Sequence, residues 1–324
     1  MRLRFWIAAA LAPLVLPGPA GADPLVLSAD PVSLHAEDDS VDRVGALRYL
    51  GGFRLRSPDA AFGGLSGLDI SPDGARVRFV SDAGYWVRAA LRHAPDGRLA
   101  GIGGAEIGRL IAPDGRPVAR KSEADAESLA RLDGGIAVAF ERDHRIWLYR
   151  GSPNPFLSKP VAVDPPPELR GAPANKGAEA FAVLPDGRPV IIAEDFPPDG
   201  PVTYGWIRTG GGWQRFDYER TGLFVPTGAA VLPDGDLLVL ERRFTYIGGV
   251  ASRLARVPRS SLKPGALVRG RELARLEPPF VVDNFEGVAV RRDERGRTLI
   301  YLVSDDNFNV LQRTLLLLFA VAAD

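Results

Sequence analysis

The chain has 324 residues, of which 46% are hydrophobic, and its 40 Lys and Arg residues balance 40 Asp and Glu residues. This balance gives no electrostatic basis for nucleic acid or an anionic lipid as the principal partner. The absence of cysteine excludes disulfide bonds, thiol catalysis and cysteine-ligated metal centres. The 36 Gly and 28 Pro residues are too frequent for long helices and indicate many short strands and tight turns.

The first 22 residues resemble a secretory signal peptide. Arg2 and Arg4 precede an apolar run at positions 5–16, and residues 20–22 form a small-x-small cleavage site. The run is shorter than the ~20 residues that a membrane span needs, so we expect cleavage, no stable span afterwards, and a periplasmic or secreted protein. An uncleaved membrane anchor is the alternative. The apolar segment 315–322 near the C-terminus is predicted to be a buried strand.

Residues 23–43 are predicted to form an N-terminal extended segment, and residues 44–324 a single domain. Within that domain, one unit recurs five times: a short strand, a turn that often reads Pro-Asp-Gly, and a second strand that ends in an acidic residue. The units are about 50 to 60 residues apart, which is the length of a four-stranded propeller blade. Equivalent positions in the first strands are Ser66, Glu127, Glu179, Thr227 and Glu286.

This periodicity predicts an all-β fold: a single β-propeller of four-stranded blades. Five blades follow from the five units, and a sixth, degenerate blade within residues 78–111 or 252–276 is the alternative. The final unit is too short for a complete blade, so the strand at 44–55 is predicted to complete it and close the ring. A pair of β-sandwich domains would need a central linker, and the sequence contains none.

The first strand of each unit is predicted to lie innermost. The residues one and three places after the equivalent position are mostly small, as in Gly228 and Ala230 or Gly287 and Ala289. A strand beside a crowded axis has little room for side chains on one face. The five equivalent residues should therefore meet at one end of the central channel.

Three of these five residues are carboxylates, which repel one another at close range unless protons or cations intervene. We therefore predict that Glu127, Glu179 and Glu286 hold a cation. Calcium is expected, because an oxygen-only ligand set without histidine or cysteine suits it better than zinc.

A second acidic set ends the second strands of the units. It comprises Asp82, Glu141, Glu194 with Asp195, Glu241, and Asp305 with Asp306. Arg142, Arg242 and Arg243 follow two of these acids, and a guanidinium suits either a carboxylate or an anionic substrate. Both interpretations remain open: the arginines hold the blades together, or they face the substrate.

Seven short motifs of the chain resemble the "esterase-like activity of phytase" family of exported bacterial propellers. The resemblance implies a phytase-like propeller, phosphoester hydrolysis and a role for calcium. The motifs are GLSGL (64–68), DAESL (125–129), GAEAF (177–181), PTG (226–228), LERRF (240–244), DNFEG (283–287) and SDDNF (304–308).

The leading functional hypothesis is therefore a periplasmic, phytase-like hydrolase, expected to be monomeric, that acts on a small anionic phosphomonoester or phosphodiester. Glu141 or Asp305 would act as the base, and Arg142 or Arg242 as the charge clamp. Substrate-binding positions are Ser66, Asp82, Thr227, Glu241, Arg243 and Asn284. Two alternatives remain open: a non-catalytic envelope scaffold with a structural ion, and a calcium-dependent lactonase-type ester hydrolase.

Overall fold

The computed structural model describes residues 21–322, which are almost entirely β-strands, turns and loops. The predicted signal peptide lies outside this range except for its last two residues. Four strands precede the first repeat unit: β1 (Asp23–Leu25), β2 (Ser28–Pro31), β3 (Arg43–Val44) and β4 (Leu47–Arg56). The segment predicted as extended thus contributes edge strands, since β1 pairs with the first blade and β2 and β3 pair with β4.

The remaining strands follow the five predicted units. The first blade contains β5 (Leu65–Ile70), β6 (Arg76–Ser81), β7 (Tyr85–His93) and β8 (Leu99–Arg109). Helix α1 (Lys121–Ala124) leads into the second, which contains β9 (Ala126–Leu132), β10 (Gly135–Phe140), β11 (Arg145–Tyr149) and β12 (Val161–Val163). The third contains β13 (Ala180–Val183), β14 (Pro189–Ile192), β15 (Val202–Thr209) and β16 (Gly212–Glu219).

The fourth blade contains β17 (Val225–Val231), β18 (Leu237–Thr245), β19 (Gly249–Val257) and β21 (Arg271–Leu276). Strand β20 (Leu267–Val268) lies on the edge of the third blade, beside β16. The fifth contains β22 (Phe285–Arg292), β23 (Thr298–Ser304) and β24 (Thr314–Val321). Short 3₁₀-helices occupy three loops: Pro155–Leu157, Pro167–Gly171 and Arg259–Ser261.

These strands form five sheets arranged as a five-bladed propeller, which confirms the predicted fold. The two intervals considered for a sixth blade instead supply the outer strands of the first and fourth blades. The blades are larger than predicted, because edge strands extend three of the sheets beyond four strands.

The ring closes as predicted. Strand β4 from the N-terminus pairs antiparallel with β24 from the C-terminus, and so supplies the fourth strand of the last blade. Strand β24 is buried along almost its whole length, as the apolar segment 315–322 indicated. The described apolar side chains cluster between neighbouring blades, and such a cluster occupies each of the five blade interfaces.

The innermost strands are β5, β9, β13, β17 and β22, and each contacts the next around the axis. The small residues predicted there are required by this close approach. A Cβ atom on Gly228 would lie 2.5 Å from the carbonyl oxygen of Glu286 in the next blade, and one on Gly287 would lie 2.9 Å from that of Ser66. Only glycine fits at such distances.

A β-bulge occurs at the same place in four of these inner strands. The pairing between the first and second strands skips one residue in each of these blades, and the skipped residues are Ser66, Glu127, Thr227 and Glu286. A bulge leaves one residue unpaired and redirects its side chain. In the third blade, Glu179 comes immediately before β13. The fold thus presents one residue per blade at the end of the channel where the inner strands begin, which we call the mouth.

Candidate metal centre at the mouth of the channel

The three glutamates predicted to converge do so. Each is almost completely buried, and each lies close enough to other carboxyl groups for their charges to affect its pKa. Burial and the charge of Glu286 raise the pKa of Glu127 well above its usual range. Burial and the charges of Glu141 and Glu127 do the same for Glu179. The bulges at Glu127 and Glu286 and the position of Glu179 directly before β13 place the three glutamates at the mouth, and these pKa shifts are consistent with that placement.

The five residues that the inner strands present at the mouth, Ser66, Glu127, Glu179, Thr227 and Glu286, form the inner ring. A second ring surrounds the inner ring, and the backbone register defines its members. The amide groups of Asp82, Glu141, Glu194 and Asp305 donate to carbonyl oxygens two residues before the corresponding inner-ring positions, at 2.8 to 3.2 Å. In the fourth blade the residue paired at this level is Arg242, opposite Val225. The internal repeat of the sequence predicts Glu241 at this level of the fourth blade. The structure places Arg242 there, so the predicted position was wrong by one residue.

The one-residue difference changes the surroundings of Glu241 completely, because successive side chains of a strand point to opposite faces. Glu241 is 0% exposed and accepts hydrogen bonds from the Tyr218 hydroxyl, at 2.7 Å, and from Arg253. Arg253 is itself 4% exposed. The Tyr218 hydrogen bond joins the third blade to this buried pair of the fourth, so Glu241 has a structural contact where a substrate contact was predicted.

Arg242 crosses from the fourth blade to its neighbours on both sides. Its guanidinium donates to Glu194 of the third blade at 3.0 Å and to Asn284 of the fifth blade at 2.5 Å. It also lies 3.8 Å from Glu286, and the Asn284 amide donates to that same carboxylate at 2.8 Å. Arg242 therefore offsets part of the negative charge on one side of the mouth.

The opposite side of the mouth has the geometry of a metal site. Asp125, Glu127 and Glu141 each offer an oxygen atom, and these three atoms lie within 4.8 Å of one another. Such carboxylate oxygens are the ligands that hard divalent cations prefer. The set shares Glu127 with the predicted ligands, but it contains Asp125 and Glu141 where the sequence suggested Glu179 and Glu286.

Asp82 provides a second indication of a ligand at the mouth. Its Oδ1 atom is buried and has no hydrogen-bond partner, and the ammonium of Lys121 is 3.8 Å from its other oxygen. Burial raises the pKa of this carboxyl group, and the nearby Asp125 carboxylate adds to that effect. A buried oxygen without a partner is costly, so the residues present fit a cation at this side of the mouth.

Two second-ring acids titrate far from their usual range. Burial raises the pKa of Glu141 to about 7, although hydrogen bonds involving Glu179 and the Gly177 amide lower it. Burial, together with the charge of Glu286, raises the pKa of Asp305 to about 9. Asp305 is therefore protonated at neutral pH in the cation-free protein.

The polar inner-ring residues of the first and fourth blades have backbone partners. The Ser66 hydroxyl donates to Gly64 O at 3.3 Å, and the Thr227 hydroxyl donates to Phe285 O at 3.0 Å. Both side chains are buried. The Thr227 bond thus joins the inner strands of the fourth and fifth blades, whereas the Ser66 bond is local, and both predicted substrate contacts have backbone partners.

The two remaining arginines differ in position. Arg142 is partly exposed beside the metal set and pairs with Asp125. Arg243 pairs with Glu277 at 3.1 Å and packs over the Phe224 ring, so it points away from the three ligand atoms. Asp125 and Glu194 were not among the predicted site residues. Their sequence positions identify them, since Asp125 lies shortly before the inner-ring residue Glu127 and Glu194 ends the predicted second strand after the inner-ring residue Glu179.

The ring of buried carboxyl groups predicts an unusual pH dependence of stability in the cation-free protein. The pKa of Asp305 rises from its ordinary value of 3.8 to about 9 on folding, and that of Glu141 rises from 4.5 to about 7. Well below pH 3.8 these groups are protonated in both states. As the pH rises towards 9, the unfolded state ionises first and gains stability relative to the folded state. The free energy of unfolding should therefore fall across this range.

Thermal unfolding in a chelator should give a Tm that decreases between pH 5 and pH 8.5, as the pKa shifts require. Asp305→Asn should flatten the decrease, whereas the exposed control Glu294→Gln, on a turn at the other end of the channel, should leave it unchanged. A Tm that is constant or rises across this interval would contradict the assigned pKa shifts.

The other end of the channel has a different chemistry. The later residues of the inner strands line a cavity of about 140 Å³ there, and most of these residues are apolar. Its main charged groups are paired, since Arg131 donates to both oxygens of Asp69 at 2.7 and 2.9 Å. The described part of the channel therefore offers uncompensated acidic groups at the mouth alone.

Fold and site together define a five-bladed propeller with a carboxylate centre suited to a divalent cation. The chain belongs to the phytase-like family: the family model described as esterase-like activity of phytase matches residues 60–308. This match contains both rings of the mouth. No curated protein matches the chain, and no helix within residues 21–322 is long and apolar enough to cross a membrane.

Several solved structures are similar to this chain at low identity. A luciferin-regenerating enzyme has 11% identity and a TM-score of 0.42, over 82% of this chain and 95% of that one. A glutaminyl cyclase from Myxococcus xanthus has 13% identity and a TM-score of 0.42, over 84% and 97%. A streptogramin B lyase has 12% identity and a TM-score of 0.38, over 85% and 99%.

Proposed function

We propose that this chain is a calcium-dependent phosphoester hydrolase whose active site is the mouth of the channel. The observation that carries the proposal is the cluster of Asp125, Glu127 and Glu141 oxygen atoms, beside the buried, unpartnered oxygen of Asp82. Membership of the phytase-like family supports the reaction class. The substrate is a phosphomonoester or phosphodiester.

Asp125, Glu127 and Glu141 would hold the cation, and calcium suits this oxygen-only set. A bound divalent cation would polarise the phosphoryl group and lower the pKa of a coordinated water molecule. The surroundings of the two arginines indicate which of them would bind the substrate. Among the described residues, Arg142 pairs with Asp125 alone and is the more exposed of the two arginines, so it is suited to contact the anionic substrate, whereas Arg242 is held by Glu194 and Asn284.

Asp305 is the candidate proton-transfer group. Glu141 belongs to the proposed ligand set, which leaves Asp305 as the second-ring acid without a cationic partner among the described residues. Its backbone position is held by the hydrogen bond from its amide to Asn284 O at 2.9 Å, and its Oδ1 atom accepts from the Asn307 amide at 2.6 Å. A positioned carboxyl group of this kind can donate a proton to a leaving oxygen.

We further propose that the enzyme works outside the cytoplasm, in the periplasm or as a secreted protein. The support is the basic start, apolar run and small-x-small site of residues 1–22. Extracytoplasmic compartments are oxidising, and the absence of cysteine is compatible with them. Detection of a mature N-terminus at Asp23 in the periplasmic fraction would support this location, and a cytoplasmic full-length chain would contradict it.

The function can be tested with purified mature protein on three substrate panels: phosphomonoesters, phosphodiesters and lactones. We expect turnover of a phosphoester in calcium and its loss in chelator. Glu127→Gln should lose activity by at least about 100-fold, because a neutral amide replaces a charged cation ligand. Glu294→Gln, an exposed glutamate on a turn at the other end of the channel, is the matched control and should behave like the unaltered protein.

The other outcomes distinguish the alternatives. Turnover of lactones alone would identify an ester hydrolase that uses the same carboxylates on an uncharged substrate. Calcium-dependent stability without turnover of any panel would identify a binding or scaffold propeller. Either result would overturn the phosphoesterase proposal.

A further inference from the structure

The exposed apolar side chains of the propeller are distributed unevenly. Eleven large hydrophobic residues of the described chain are exposed, and seven of them lie at the mouth end, on loops or near the end of β18. These seven, which we call the apolar rim, are Leu223, Phe244, Tyr246, Ile247, Phe308, Val310 and Leu311. Clustered exposed apolar groups of this kind mark interaction sites more often than scattered ones do.

The strand register explains why the rim lies at this end. The pairing of Val225 with Arg242 sets the level of the mouth in the fourth blade, and the β18–β19 hairpin continues past that level to its tip at residues 246–248. Residues 221–224 lead directly into β17 at the same end. The loop 305–313 connects β23 to β24 there as well, since Phe285 at the start of β22 pairs with Ser304.

Four rim residues are almost completely exposed. Tyr246 and Ile247 are 99% and 103% exposed at the hairpin tip, and Val310 and Leu311 are 94% and 86% exposed in the loop of the fifth blade. By contrast, the Pro-Asp-Gly turns at residues 72–74, 185–187 and 233–235 lie at the other end of the inner strands and contain no exposed large apolar side chain. The exposed large apolar side chains of the described residues are therefore concentrated at the mouth end.

The geometry favours a lipid surface over a folded protein partner. The rim consists of tips from two neighbouring blades beyond the level of the mouth, whereas a protein interface needs a packed core of buried contacts. Its mixture of tyrosine, phenylalanine and aliphatic side chains is the composition that enters the interfacial region of a bilayer. The neutral net charge of the chain indicates that apolar insertion, and not attraction to anionic lipid, would provide the binding.

We propose that the apolar rim inserts into the interfacial region of a phospholipid bilayer and brings the mouth to the level of the headgroups. Resting on the proposed function, this inference also names the substrate class: an amphiphilic phosphoester presented at a lipid surface. The protein remains peripheral, since the tips are short loops.

The test is binding of the mature protein to phosphatidylcholine vesicles, measured by flotation in calcium. We expect binding by the unaltered protein. The double variants Tyr246→Ser with Ile247→Ser, and Val310→Ser with Leu311→Ser, should each lower vesicle affinity by at least about tenfold. The matched control is Val161→Ser with Leu267→Ser, which removes two exposed apolar side chains from edge strands and should bind like the unaltered protein.

Failure of the unaltered protein to float with vesicles, or equal loss in rim and control variants, would overturn the inference. Sedimentation velocity provides a further check, because a dimer that the rim variants abolish would assign the rim to a second copy of the chain. Vesicle binding needs no turnover, so it is independent of the proposed function. Hydrolysis of soluble phosphoesters without vesicle binding would remove this inference alone, and vesicle binding without hydrolysis would remove the phosphoesterase proposal alone.

Discussion

Glu127→Gln should abolish high-affinity calcium binding and, at the same time, stabilise the cation-free protein. Glu127 contributes an oxygen to the group formed with Asp125 and Glu141, and its charge is buried among other carboxylates. Loss of an outer-sphere partner alone typically costs 10 to 100-fold in metal affinity, so loss of a ligand should cost more than about 100-fold. An amide of equal size removes the repulsion that burial of the charge creates.

The combination of these two effects is what distinguishes a metal centre from an ordinary ion-pair network. In chelator at pH 8, the Tm of Glu127→Gln should exceed that of the unaltered protein by at least about 2 °C. In saturating calcium the order should reverse, because binding to the folded state stabilises only the protein that retains the site. Isothermal calorimetry and differential scanning fluorimetry measure the two effects. A variant that is less stable in chelator and binds calcium normally would show that Glu127 is a structural partner, with no role as a ligand.

Glu241→Gln should have the opposite profile: a large loss of stability with no change in calcium affinity. Glu241 and Arg253 form a buried pair, and the Tyr218 hydroxyl completes the contact between the third and fourth blades. Removing one partner from such a pair leaves an uncompensated charge and costs about 3 kcal/mol or more. Arg253 keeps two contacts, to Glu272 at 3.0 Å and to Gly270 O at 2.8 Å, so we expect the lower end of that range.

Chemical denaturation measures this loss, and the Tm should fall by about 5 °C. Glu277→Gln is the control in the same blade, because its carboxylate pairs with Arg243 at a partly exposed position and should contribute less than about 1 kcal/mol. If Glu241→Gln weakened calcium binding or substrate turnover at unchanged stability, Glu241 would belong to the active site, as the internal repeat of the sequence predicts.

The contrast between Glu241 and Arg242 shows that residues with structural contacts and residues that face the mouth are neighbours in the sequence. Glu241 and Arg242 are adjacent in sequence, yet one joins two blades in the interior and the other contacts acids of the third and fifth blades. A strand alternates its side chains between two faces, so a shift of one residue exchanges these roles. Substitutions in this motif should therefore be interpreted residue by residue.

Much of the architecture follows from local patterns in the sequence. Five returns of a strand, a turn and a second strand predicted five blades, because hydrophobic alternation and Pro-Asp-Gly turns are properties of short segments. The missing strand of the last unit and the unassigned strand at 44–55 predicted the closure by β4. Small residues such as Gly228 and Gly287 identified the inner strands, since side-chain bulk is excluded wherever strands crowd an axis.

The details of the site depended on features that have no signature within one segment. Four inner-ring side chains are presented by β-bulges, and a bulge is defined by how two strands pair. The metal set came from the second blade alone, because only three-dimensional distances separate Asp125 and Glu141 from the other acids. The hydroxyls of Ser66 and Thr227 met neighbouring backbone, which no pattern of residue types indicates.

The sequence by itself therefore determined the fold, the closure of the ring and the region where polar groups converge. Only the tertiary structure decided which of those groups face the opening and which form contacts that hold the blades together. The physical reason is the range of the interactions: turns and alternation act over a few residues, whereas the charges of Glu127, Glu179 and Glu286 interact only after five blades have closed around one axis.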